Sequence, residues 1–441
     1  MRYSTIFLAV ILAAGLQNNF AAEPDLRKLA VANNTFTLKL VNQIIAEQPG
    51  KNIFISPYSA ATALQMAANG AGGQTKTEMQ KVLGTSGIAP DELNAASQWI
   101  AHNLTHPKTR LERRLGWLDR SHFSDAEFNT FSNRLVQSDP DLLKPDATNI
   151  VVTANALFYR QGSAIKSGFV EENQKYFAST VKALDFSNPP AAEAVINRWA
   201  GDQTQGRVTG IADGMIDPDN SDLILLNAIY FNGTWGNPFD PKLTKQRRFH
   251  PASGASKKVP MMEVSAKFFH HKNADYEFVS LPYQDAPLAM FVLLPAPGSS
   301  PAKLLQQTMN GDDWVHTVFR DSKCPKGHLV LPKFKLENNF KLIEPLKALG
   351  MKSAFDPIRA DFTGMFDDQG HCITKVRQKT FVAVDEAGTE AAAVTEIERG
   401  TYGAPEKPPE PFDLVVDRPF LFAIVDWDSG EILFMGVVNE L

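Results

Sequence analysis

The side chains able to do chemistry are scattered, and none stands at a spacing that catalysis requires. Neither G-x-S-x-G nor H-E-x-x-H occurs. The turn Gly70-Ala71-Gly72-Gly73 lacks the lysine of a phosphate loop. The run Asp217-Pro218-Asp219-Asn220-Ser221-Asp222 hints at the start of a calcium loop. Its sixth position is not glycine, however, and Ala228 stands where a bidentate glutamate is needed, so an acidic surface turn is expected. His270 and His271 are neighbours in a strand-like run and point to opposite faces, which leaves them as surface residues. Cys324 and Cys372 fit no metal motif; they read as buried thiols, with one bridge left open. No catalytic residue, metal or cofactor is expected.

One segment has a different kind of chemistry, that of a peptide bond presented for cleavage. In Val384–Gly403, VDEAGTEAAAVTEIERGTYG, Gly388 offers wide backbone freedom and no proline follows until Pro405. With the strand period of two, Thr389, Ala391, Ala393, Thr395, Ile397 and Arg399 share one face. Glu390, Ala392, Val394, Glu396, Glu398 and Gly400 share the other. The first face is uncharged until its far end and the second holds all three glutamates, as in a strand with one buried side. Yet the segment runs into a Gly- and Pro-rich loop from Gly400 to Pro411. A sequence fit for both loop and strand is a candidate switch. On pattern alone it reads equally well as an ordinary edge strand with its loop.

The elements that must position this segment are mixed. Asn34–Gln48, Pro57–Ala68 and Leu93–Leu104 carry helical stripes, the second capped by Ser56 and ended by Gly70, Gly72 and Gly73. From Ile150 strands prevail: Ile150–Tyr159, Leu223–Phe231, Tyr276–Leu281, Leu288–Leu294, Leu329–Leu336, Thr380–Asp385, Phe412–Val416, Phe420–Asp426 and Ile432–Val438. Helices Ala191–Ala200 and Lys341–Leu349 lie between them. The class is α+β without βαβ alternation.

With 441 residues, 44% of them hydrophobic and 21% charged, the chain can bury a large core without staples. A net charge of −5 argues against nucleic-acid binding. Residues 1–22 read as a secretory signal: Arg2, an apolar run from Ile6 to Leu16, then mostly small and polar residues. No A-x-A site fixes the cleavage, and Leu16 stands where a lipoprotein signal has cysteine. A secreted, extracellular protein is expected, or a periplasmic one in a bacterial host, with no membrane anchor.

In order and spacing, several short motifs resemble the serpin family, from about Leu26 to Leu441. They include Asn52–Ser59, Gly70–Met79, Ile196–Trp199, Leu226–Trp235, Val259–Met262 and Leu281–Tyr283. Leu331–Phe334, Asp385–Ala392 and Asp417–Phe420 complete the set. The resemblance implies a single domain over 23–441, with about nine helices around three β-sheets and an exposed reactive-centre loop at about 387–411. It implies a secreted inhibitor of serine endopeptidases, not an enzyme, acting as a monomer. A target protease attacks one bond of the loop and forms an acyl-enzyme. The freed loop then inserts as a new strand of the central sheet and carries the protease with it. The alternative within the family is a non-inhibitory binding, storage or chaperone protein.

The resemblance also assigns residues. Glu386, Gly388, Thr389, Glu390, Ala391, Ala392 and Ala393 form the loop hinge. Counting about 17 residues from Glu386, inclusive, reaches Tyr402, so the reactive bond is expected at Tyr402–Gly403. Thr401 and Arg399 are the alternatives. Tyrosine at the bond favours a chymotrypsin-like target. Ser56, Ser59, Asn227 and Gln378 match a polar cluster that controls sheet opening, with Gln378 where the family often has histidine. Trp235 marks the top of the sheet. Plain core packing accounts for these residues too. Residues 107–147 exceed a minimal serpin; Lys108, Arg110, Arg113 and Arg114 there suggest a site for sulfated polysaccharide, against the plainer reading of a solvated helix.

Overall fold

The computed structural model describes residues 26–105, 125–138, 150–284, 286–308, 314–389 and 409–441. The N-terminal stripes become helices α1 (Leu26–Glu47), α2 (Pro57–Asn69), α3 (Gly73–Leu83) and α4 (Pro90–Thr105). Ser56 caps α2, its side chain accepting the Ser59 N–H with Pro57 in the first turn. Gly70 ends α2, but Gly73 opens α3 instead of closing its predecessor. Gly84, at φ +72°, ends α3 in the left-handed region that favours glycine. Helix α5 (Asp125–Ser138) is the described part of the expected insertion. Helices α6 (Ser167–Phe177), α7 (Pro189–Gln203), α8 (Pro301–Thr308), α9 (Trp314–Asp321) and α10 (Ile343–Leu349) complete the set, ten among the described residues where about nine were expected.

Sixteen strands form three sheets among the described residues. The second sheet, in spatial order, is β1 (Ile53–Ile55), β16 (Glu431–Val438), β15 (Phe420–Asp426), β9 (Leu288–Pro295), β8 (Tyr276–Pro282) and β7 (Phe269–Lys272). The third is β14 (Phe412–Val415), β10 (Lys326–Pro332), β6 (Lys257–Lys267) and β5 (Lys245–Phe249). The central sheet runs β11 (Phe334–Lys341), β12 (Ile373–Val384), β13 (Gly388–Thr389), β4 (Leu223–Thr234), β2 (Ile150–Arg160) and β3 (Thr180–Leu184).

Several expectations change. The run Leu329–Leu336 is not one strand. The ladder with β6 runs to Pro332, the Lys333 N–H makes one last bond to Pro260 O at 3.0 Å, and the chain passes there from the third sheet to the central one. His270 is not surface decoration: its ring stacks on Phe412 at 3.9 Å and its Nε2 lies 3.0 Å from Glu277 Oε1. Both cysteines are free; the expectation of buried thiols holds for Cys372 and fails for Cys324, which is exposed. Asn33 is also buried, its amide donating to Glu431 Oε2.

The core has two sides. On one face of the central sheet, Ala154, Ala156, Phe158, Ile224, Leu226 and Ala228 pack under α7 through Ile196 and Ala200. The alternating residues, such as Leu157, Leu223 and Leu225, face the opposite core with α1 and α2. Covered on both faces, β4 is buried almost throughout, which is why its sequence reads as a continuous apolar run.

Candidate functional site

Strands β12 and β4 pair parallel to each other from Ile373 opposite Leu223 to Phe381 opposite Tyr230. At their upper ends they separate, and β13 lies between them. Thr389 pairs antiparallel with Val384 of β12 and with Gly233 of β4, and Gly388 pairs with Thr234. The hinge therefore enters the sheet at its top, with Thr389 fully buried.

Several contacts fix this entry. Asp385 N–H donates to Gly388 O, while Asp385 Oδ1 accepts the N–H groups of Ala387 and Gly388, which closes a tight turn. Trp235 donates its Nε1–H to Asp385 O at 2.9 Å and its backbone N–H to Ala387 O at 3.0 Å. Its indole stacks on Tyr283 at 4.7 Å, and the Tyr283 hydroxyl lies 2.7 Å from Thr389 Oγ1. Burial pushes the Tyr283 phenol up, so it stays a neutral hydrogen-bonding group. Glu386 lies beside this turn, 2.6 Å from Lys333 Nζ and accepting from Thr244 Oγ1 at 2.7 Å. Its burial acts to raise the carboxyl pKa, but these two hydrogen bonds outweigh it and hold the group below its ordinary value.

A second polar cluster lies lower, beneath the parallel seam. Gln378 donates to Asn227 Oδ1 at 2.6 Å and to Ser56 O at 2.8 Å, and accepts the Ser56 N–H at 2.8 Å. Asn227 donates to Asn155 Oδ1 at 2.7 Å and to Ser59 Oγ. Ser56 Oγ donates to Leu433 O at 2.6 Å. The three amides are register partners across β12, β4 and β2, so they form one row tied to the N-terminus of α2. Each is buried and satisfied, as buried polar groups must be.

The sequence expectation thus brings Ser56, Ser59, Asn227 and Gln378 into one cluster and places Trp235 beside the hinge. It misses Asn155 in the row. The signal is visible afterwards: a lone amide within the apolar run of β2. Tyr283, Lys333 and Asp385 are expected only as parts of motifs, and Thr244 not at all. Glu390, Ala391, Ala392, Ala393, Arg399, Thr401, Tyr402 and Gly403 lie outside the described residues. So do Lys108, Arg110, Arg113, Arg114 and the expected signal. The acidic turn at Asp217 stays a turn, its carboxylate accepting from Asp219 and Asn220, and no metal-holding cluster exists among the described residues.

An α+β body of three sheets, with the short strand Gly388–Thr389 set into the top of the central one, defines the fold class of a serpin. Residues 31–441 match the family model "Serpin (serine protease inhibitor)", and the chain belongs to that family. Glia-derived nexin of Rattus norvegicus is 30% identical over 413 residues, 91% of each chain. Plasminogen activator inhibitor 1 of Sus scrofa is 30% identical over 457 residues, the full length of both. A crystal structure of native protease nexin-1 with heparin superposes with a TM-score of 0.74 at 27% identity, covering 94% of this chain and 99% of that one.

Proposed function

We propose that this protein is a secreted, single-use trap for serine endopeptidases, monomeric and with no catalytic residue of its own. One observation carries the reading: Gly388–Thr389 pair antiparallel with both β12 and β4, while those two strands pair parallel below them. Continued entry by the loop would replace one parallel interface with two antiparallel ones. It adds hydrogen bonds and exchanges a slightly weaker pairing for a stronger one. The driving force for insertion is thus stored in the native sheet.

In this reading the reactive bond is Tyr402–Gly403, and the target has a deep apolar primary pocket of chymotrypsin type. The protease's own serine attacks the bond and an acyl-enzyme forms. The segment Thr389–Tyr402 then inserts, its ~14 residues at ~3.3 Å each spanning about 45 Å, so the tethered protease is carried to the opposite pole. Ser56, Ser59, Asn155, Asn227 and Gln378 hold the seam closed until then, and Trp235 with Tyr283 guards its entrance. The family description and the inhibitor among the relatives support the inhibitory reading. The heparin that accompanies protease nexin-1 in its crystal structure supports keeping Lys108, Arg110, Arg113 and Arg114 as a site for sulfated polysaccharide.

The test is to mix the purified protein with chymotrypsin and analyse the products on a denaturing gel, with mass spectrometry of the released C-terminal peptide. A detergent-stable complex and a peptide beginning at Gly403 are expected. Complete cleavage without a complex by chymotrypsin, trypsin and elastase alike assigns the protein to the non-inhibitory members.

A further inference from the structure

The end of the central sheet farthest from the hinge holds a cavity of about 790 Å³. Its walls are the start of β12, the end of β11, part of α10 and the turn that leads into β4. Lys341 and Arg377, both on the wall, are direct partners in the antiparallel β11–β12 ladder. Lys375 precedes Arg377 by two residues and so shares its face. Like charges opposite each other destabilise a sheet unless something neutralises them.

Among the described residues no carboxylate does so by direct contact; Glu193 and Asp217 reach Arg377 and Lys375 only through space. Lys341, Lys375 and Arg377 make no ion pair and no side-chain hydrogen bond among the described residues. The Arg377 Nε is cut off from solvent and has no acceptor, although buried donors normally find one. The nearby acids are occupied. Asp222 holds His371 and the Cys372 N–H, and Glu344 pairs with Lys347. Glu193, whose field reaches Arg377, accepts the N–H groups of Met215 and Ile216. Asp217, whose field reaches Lys375, accepts from Asp219 and Asn220. Among the described residues, Asp219 is the lining carboxylate left without a side-chain partner. Lys341, which is exposed, Lys375 and Arg377 therefore line one cavity of ligand size without a direct carboxylate partner among the described residues.

We propose that this cavity is a binding site for a small multivalent anion, a polyphosphate or polycarboxylate, gripped by Lys341, Lys375 and Arg377. The guanidinium fork fits two oxygens of one such group, and the two ammonium groups supply point charges to its neighbours. The site is independent of the inhibitory reading, because it uses neither the loop nor the hinge.

The experiment is calorimetric titration of the native protein with pyrophosphate and, separately, with citrate, at constant ionic strength. At least one is expected to bind with a dissociation constant below about 1 mM, and the K341Q/K375Q double variant to lose at least about fivefold in affinity. Binding of pyrophosphate alone assigns the phosphate class, and of citrate alone the carboxylate class. Failure of both probes, or a smaller loss in the double variant, overturns the site. Lys341→Gln supplies a second readout in the absence of any multivalent anion. Relief of repulsion raises its melting temperature; a fall would mean that Lys341 is partnered within the chain, and also overturns the proposal.

Discussion

Gln378 and Asn227 stand directly opposite each other across the parallel pair of β12 and β4, joined by a 2.6 Å hydrogen bond between their amides. Every other group on these two amides is also engaged, by Ser56, Ser59 and Asn155. Asn227→Ala leaves several buried partners unsatisfied, at about 1–3 kcal/mol for an orphaned group. The expected outcome is a loss of about 2–3 kcal/mol of native stability in urea unfolding. Faster spontaneous loss of inhibitory activity on storage should accompany it.

At the hinge, Tyr283→Phe removes the hydroxyl that meets Thr389 Oγ1 in a dry site. About 1–2 kcal/mol of stability should be lost, with faster limited proteolysis around 386–389. Trp235 stays in place as an internal probe, and its emission should change when the hinge moves.

Thr389 is fully buried between two strands. In Thr389→Arg a charge must occupy that space if the proposed insertion is to proceed, and burying an unpaired charge is prohibitive. The variant should be cleaved by the target protease without forming a stable complex, as a gel of reaction products will resolve.

The Glu386 carboxyl titrates below its ordinary value, so its anchoring to Lys333 and Thr244 depends on acidity. A depressed carboxylate contributes stability above its unfolded pKa, and this is lost as pH falls through the folded one. The native state should therefore weaken below about pH 4.5 through this group, and Glu386→Gln should flatten that part of the stability profile measured by thermal melts.

Asp426 behaves in the opposite sense. It lies opposite Glu431 in the β15–β16 ladder, and burial pushes it up to about 6, with Asp428 adding to the rise. Glu431 is raised too, first by burial and then by Asp426. For a carboxyl raised on folding, stability is full below the unfolded pKa and falls as pH rises through the folded one. Asp426→Asn should stabilise the protein at neutral pH by up to about 3 kcal/mol, and the gain should vanish near pH 4.

Much of this architecture is legible in the residues. The Ser56-Pro57 cap and the apolar run of β4 follow from local rules, and the structure extends β4 by only a few residues; β12 instead begins at Ile373, well before the expected Thr380, because lysine, arginine and glutamine interrupt its first half. The break at Pro332 escapes a pattern reading because hydrophobic residues continue on both sides of it; only the change of sheet separates them. His270 escapes for a related reason, since its partner ring, Phe412, is far away in the chain.

By itself, the sequence determined which residues are small enough, apolar enough or polar enough for their places: Thr389 for a buried hinge, and Asn227 and Gln378 for a buried polar row. Residue types and local periodicity are enough for that. Only the tertiary structure decided that Asn227 and Gln378, 151 residues apart, share one register with Asn155, and that the hinge enters between β12 and β4. A strand's pattern specifies which face is buried but not which strand lies beside it. That neighbour is chosen by the packing of the whole sheet between α7 and the opposite core.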